Sequence, residues 1–262
     1  MKKIISFGEI FSQESKLVSM LALTVAFAQG AGASTEISPS SSPSSSPQGR
    51  FYVGAQMGVV HGEPSGNVVV NNPAVPANTM GDAQSFSENN TALGFFGGYD
   101  YGLPFGFLSV EGFYNNEFSA YKKESLLRSG AFDIDLTTQL KKYNTFGLTT
   151  KVGWDLKKTP LIPYVSLSLL TSDFSFSYES VDFNRAGDDA EGKQSRNLWA
   201  FAPGAGLAYP INNRISLRLD YQYRFYQEWN LRNVNALRTL AGLTGSLRIR
   251  DQSLMIGAAY KL

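Results

Sequence analysis

The residues able to do chemistry fall into few groups. Glu111, Lys151, Arg218, Asp220 and Arg224 are charges set among apolar, aromatic and small neighbours. Opposite charges in such settings pair with one another, because an isolated charge away from water is very costly. A nucleophile relay is harder to assemble. Cysteine is absent and His61 is the single histidine. Ser65, Ser85 and Ser87 follow it in sequence without the spacing that marks a nucleophile and its base. No catalytic residue and no cofactor site is expected. Asp188, Asp189 and Glu191 could hold calcium through carboxylates, but lack a spaced ligand pattern. They read as a solvated acidic tip, and no metal is assigned. Arg232, Arg238, Arg248 and Arg250 face only Glu228 in charge, and guanidinium matches phosphate geometry. Lipopolysaccharide phosphate is the expected partner. Nucleic acid is not expected, because net charge is only +1 and no recognition module accompanies the arginines.

Strands must position these groups. From residue 50 onward, lipid-compatible side chains alternate with small or polar ones, the period of a β-strand. Phe51, Val53, Ala55, Met57 and Val59 oppose Tyr52, Gly54, Gln56 and Gly58; Leu93, Phe95 and Tyr99 oppose Ala92, Gly94 and Asp100. Leu108 and Val110 oppose Ser109 and Glu111; Leu148, Val152 and Trp154 oppose Thr149 and Lys151. Val165, Leu167 and Leu169 oppose Tyr164, Ser166 and Ser168; Phe201, Leu207 and Tyr209 oppose Gly204 and Gly206. Ile215, Leu217, Leu219, Tyr221, Tyr223 and Phe225 oppose Ser216, Arg218, Asp220, Gln222 and Arg224, and Leu254, Ile256, Ala258, Tyr260 and Leu262 close the series.

These eight strands are joined by alternating short and long connections. Residues 102–104, 157–160 and 210–213 are turn-like, whereas 61–90, 116–139, 173–196 and 227–251 are long and polar. The expected fold is all-β: an eight-stranded antiparallel transmembrane β-barrel with short periplasmic turns and long extracellular loops. A soluble barrel would bury its apolar face, forcing Glu111, Lys151, Arg218, Asp220 and Arg224 outward, or the reverse at great cost. Turning the apolar face to lipid converges the charges inside. Glu111, Lys151 and Arg218 lie at similar heights above the short turns, with Asp220 one inward position further. They form either a packed plug or a gate that re-pairs to pass ions, and the narrow interior of eight strands favours the plug. A narrow charge-gated channel is the alternative function.

Residues 50–262 resemble the small eight-stranded outer-membrane barrels: the OmpA transmembrane domain, OmpX, and the Ail/Lom and opacity-protein group. Residues 51–55 (FYVGA), 108–114 (LSVEGFY), 163–169 (PYVSLSL) and 217–224 (LRLDYQYR) carry the likeness. The resemblance implies a non-enzymatic barrel that supports envelope integrity and displays loops, with adhesion or immune-evasion contacts to a host or surface ligand. It also implies an assembly signal at Gly257, Tyr260 and Leu262, read by periplasmic chaperones and the barrel-assembly machinery. Met255 stands where a polar residue is usual, and the last residue is Leu rather than the commoner Phe.

The first residues read as an export signal. Lys2 and Lys3 precede an apolar run at 17–28, too short for the ~20 residues of a membrane helix. Small-x-small sites follow, giving a signal peptide over 1–33 with cleavage after Ala28 or Ala33. Residues 34–49, rich in serine and proline, read as a disordered periplasmic tether. The barrel occupies 50–262, placing the chain in the outer membrane of a Gram-negative bacterium with both termini periplasmic.

Overall fold

Backbone groups facing lipid must be satisfied within the protein, and a closed sheet does this without edges. The computed structural model describes residues 49–71, 80–85, 87–129, 132–157, 159–182, 190–234 and 241–262. The signal-peptide assignment, all but residue 49 of the tether, Asp188, Asp189 and Arg238 lie outside the described residues. The strands are β1 Gly49–Gly62, β2 Ser65–Asn71, β3 Met80–Ser85, β4 Glu88–Leu103, β5 Gly106–Ser129, β6 Phe132–Trp154, β7 Ile162–Asp182, β8 Ala190–Pro210, β9 Ile215–Tyr226, β10 Trp229–Val234, β11 Ala241–Arg248 and β12 Arg250–Lys261. Eight of them close an antiparallel barrel in the order β1-β12-β9-β8-β7-β6-β5-β4.

The outward face is the apolar one. Phe51, Phe95 and Leu148 are each more than 60% exposed (64%, 68% and 64%), a state that water would penalise and a bilayer core does not. Residues 215–225 of β9 and 254–262, in and just after β12, carry this belt, the ~9–11 residues that a tilted strand needs to cross. Polar outward side chains mark its upper edge. His61 is paired in register with Asn89 and Gln252, Asn116 with Asn144, and Asp173 with Asn197. His61 Nδ1 lies 2.8 Å from Asn89 Oδ1, and the Tyr114 hydroxyl donates to Asn144 Oδ1 at 2.9 Å. Aromatic side chains gather at the short-turn end, among them Phe51, Tyr99, Tyr101, Trp154, Tyr209 and Tyr260. Glycine makes room inside: a Cβ on Gly98 or Gly206 would collide with the inward rings of Tyr52 and Tyr164.

The long connections differ from the expectation. Those at 116–139 and 173–196 are mostly strand, since β5 to β8 run 24, 23, 21 and 21 residues. Those at 61–90 and 227–251 supply a second sheet, β10-β11-β2-β3, in which β11 pairs with β2. β10 lies alongside β8 and β3 alongside β5. Together with the upper halves of β5 to β8 they wall an outer storey above the lipid belt. Its interior is apolar, holding Tyr121, Leu136, Leu140, Phe176, Leu198, Trp229, Leu231, Leu247 and Ile249. The physical reason is a change of solvent. Within lipid the large apolar residues face out, as Val165, Leu167 and Leu169 do on β7; beyond it they face in, as Phe174, Phe176 and Tyr178 do on the same strand. In this storey burial pushes the Tyr121 and Tyr178 hydroxyls above their ordinary range. On its surface, a hydrogen bond from Lys122 holds the Glu124 carboxyl low.

Candidate functional site: two charge clusters in the lumen

Inward positions of β5, β6 and β9 assemble the first cluster. Register aligns Ser109 with Lys151 and Glu111 with Thr149 across β5 and β6. Lys151 Nζ reaches Glu111 Oε1 at 3.0 Å and Asp220 Oδ1 at 3.2 Å. Arg218 crosses from β9 to bind Glu111 Oε2 at 2.7 Å and lies 3.9 Å from Asp220. The Tyr52 hydroxyl donates to Glu111 Oε2 at 3.0 Å. Arg218 stacks over Phe96 at 4.5 Å and Lys151 over Tyr164 at 5.3 Å, so each cation meets an aromatic face as well as a carboxylate. Two acids and two bases cancel.

Arg224 does not join this cluster, contrary to the sequence expectation. It stands four residues beyond Asp220 along β9, about 13 Å at strand rise, and binds Glu117 Oε1 at 2.6 Å. Lys142 binds Glu117 at 2.5 Å and Asp251 at 2.6 Å. Tyr226 and Phe174 present ring faces to Lys142 at 5.1 and 5.8 Å. This second cluster is again two acids and two bases, and all four side chains are buried. Between the clusters lies a cavity of about 10 Å³ bordered by Glu111, Asn115, Lys151, Asp220, Gln222 and Arg224. That is the space of about one water.

Glu117, Lys142 and Asp251 escaped the sequence reading. Glu117 and Asp251 continue the inward alternation of β5 and β12 but fell within segments read as loops. Lys142 was hidden by a register irregularity. Below it Thr145, Thr149 and Lys151 point inward on odd numbers, and above it Lys142, Leu140, Thr138 and Leu136 point inward on even ones. The pairing of β6 with both neighbours shifts between Lys142 and Thr145, as a β-bulge does.

The remaining candidates lie apart from the lumen charges. Arg248 is exposed, 3.5 Å from Glu228, and Arg250 is exposed at the start of β12. Arg232 lies on β10 and its side chain is outside the described set. Gly257 faces inward on β12, while Tyr260 and Leu262 face outward. The Leu262 amide donates to the Phe51 carbonyl at 2.9 Å, tying the last residue to β1. His61 Nε2 sits 3.2 Å from Glu63. Among the described residues no group of three or more His, Asp or Glu is placed to hold a metal.

The sequence matches the family described as outer membrane protein beta-barrel domain over residues 19–261. No curated protein matches it. Among solved structures it is similar to OprG from Pseudomonas aeruginosa, with 16% identity, 82% of this chain and 97% of that one covered, and a TM-score of 0.51. It is also similar to neisserial surface protein A (16% identity, 81% and 97% covered, TM-score 0.40) and to the outer membrane protease OmpT from Escherichia coli (7%, 80% and 97%, 0.45).

Proposed function

The chain belongs to the outer membrane protein β-barrel domain family, and from that premise we propose that it is a non-enzymatic, non-conducting barrel that supports the envelope and carries a rigid head outside it. The short turns face the periplasm and the outer storey faces the exterior. One observation carries the closed lumen: two neutral charge clusters stand in series with about 10 Å³ between them. The apolar outer storey lies beyond both, a further barrier to ions.

The second reading is a charge-gated channel. It draws on Glu111 being shared by Lys151 and Arg218, and Asp220 being within reach of both, so partners could be exchanged. Planar-bilayer recording of the refolded protein separates the two, with folding verified by the heat-dependent gel shift. Wild type and Lys151→Ala are both expected to be silent, because Lys151→Ala leaves the second cluster and the outer storey in place. Defined openings whose size or frequency changes in the variant would replace the scaffold with the gate.

A further inference from the structure

The lipid-facing wall is not uniformly bulky. Around Ala205 of β8 it sinks into a groove of about 460 Å³, within the range of roughly 300–1,000 Å³ that small-molecule sites occupy. Trp154, Pro163 and Val165 form one bank; Leu219, Tyr221 and Leu254 form the other. The floor is the methyl of Ala205 and the backbone at Gly206, where inward-facing Tyr164 forbids any larger side chain. The Tyr164 hydroxyl is turned to the Leu219 carbonyl at 3.4 Å, so it adds no free polar group to the groove.

At the foot of the groove the chemistry changes sign and polarity. Leu207 ends the groove on β8 and Pro210 ends the strand, three residues or about 10 Å lower. There the β6–β7 turn exposes Lys157 and the β8–β9 turn exposes Arg214, adjacent on the rim because β7 and β8 are neighbours. Arg214 Nη1 donates to the Tyr260 hydroxyl at 3.4 Å. Neither cation forms an ion pair among the described residues; Asp155 is the acid of the first turn.

We propose that this groove and its two cations bind one anionic phospholipid, an acyl chain lying over Ala205 and the phosphate between Lys157 and Arg214. An apolar channel opening onto a basic foot one headgroup-depth below matches the two ends of such a lipid. Bulk lipid alone explains the apolar lining but not the paired cations. The assignment to phospholipid rests on the reading above that the short turns face the periplasm, since lipopolysaccharide phosphates would be the counterpart on the other side.

The test uses the full barrel in phosphatidylcholine vesicles, with Trp154 as reporter and Trp199→Phe as background. Trp229 is buried in the outer storey and shielded from lipid. Quenching of Trp154 by a minor fraction of chain-brominated phosphatidylglycerol should show enrichment on the order of ten-fold over brominated phosphatidylcholine, the effect of two surface cations. Lys157→Glu with Arg214→Glu should abolish the preference, and Ala205→Leu should lower quenching by both lipids. Equal quenching by the two lipids, or a preference that survives the charge reversal, overturns the site. Stronger competition from lipid A than from phosphatidylglycerol overturns the choice of occupant. The two reversals lie in turns, so the result stands even if Ala205→Leu fails to fold. Vesicles do not depend on orientation. That reading fails separately if Lys157→Cys, which introduces the sole thiol of the chain, is labelled on intact cells by an impermeant reagent.

Discussion

Lys142 shows how much a single buried cation does in this lumen. It holds Glu117 and Asp251 together, and removing one member of such a group leaves charge without a counterion. Lys142→Ala is expected to cost about 3–5 kcal/mol, read as a lowered urea midpoint in lipid vesicles. Lys142→Met combined with Asp251→Asn leaves the Glu117–Arg224 pair neutral and should recover part of that loss. A double variant as unstable as the single would refute the pairing argument. By contrast Lys122 and Glu124, 2.7 Å apart on the surface of β5, are solvated and screened. Lys122→Ala should leave the midpoint unchanged.

At the scale of elements, the irregularity in β6 decides which face of a strand is inside. Because side chains alternate, one extra residue moves every later side chain to the other face. Deleting Tyr143 and Asn144 together sets Lys142 next to Thr145 and should therefore carry Lys142, Leu140 and Leu136 outward, so that the outer storey loses its packing, whereas deleting Asn144 alone should keep them inward. Trp229, buried against Phe176 at 6.4 Å between ring centroids, reports this: its emission should shift to the red, while the gel shift of the lower barrel persists. Unchanged Trp229 emission would mean that the storey does not depend on the β6 register. The β2–β11 pairing is the other decision made at this scale, because it joins two connections far apart in the chain into one sheet.

For the whole molecule, the lumen barriers and the head are parts of one stack, and its outer surface is where contacts with the surroundings would form. Arg250 and Arg248, exposed just above the polar edge of the belt, are proposed to meet lipopolysaccharide phosphates. Exchanging both for Ala should reduce lipopolysaccharide retained on purification; retention equal to wild type would remove that role. Adhesive or evasive contact is proposed for the tips of the β5–β6 and β7–β8 hairpins. Shortening both above residues 121 and 178 should weaken attachment to surfaces or host cells while insertion continues. Attachment at wild-type level would leave the head with a structural role alone.

The barrel was legible because Leu217, Leu219 and Tyr221 alternate with Arg218 and Asp220 while short turns alternate with long connections, a combination that a lipid-facing wall around a polar lumen accommodates. The alternation also marked Glu111, Lys151, Arg218 and Asp220 as inward, and distance from the short turns placed Glu111, Lys151 and Arg218 at one height with Asp220 one inward position further. Three things were decided only by the tertiary structure. Arg224 belongs to a second cluster, because partners are chosen by height along neighbouring strands rather than by sharing a face. Lys142 is inward because the irregularity at Tyr143 and Asn144 breaks the period that sequence reading must assume. The outer storey exists because β2, β3, β10 and β11, individually too short and ambiguous to identify, gain stability from pairing across the chain. Local pattern fixes which side chains can share a face; non-local pairing fixes which of them meet.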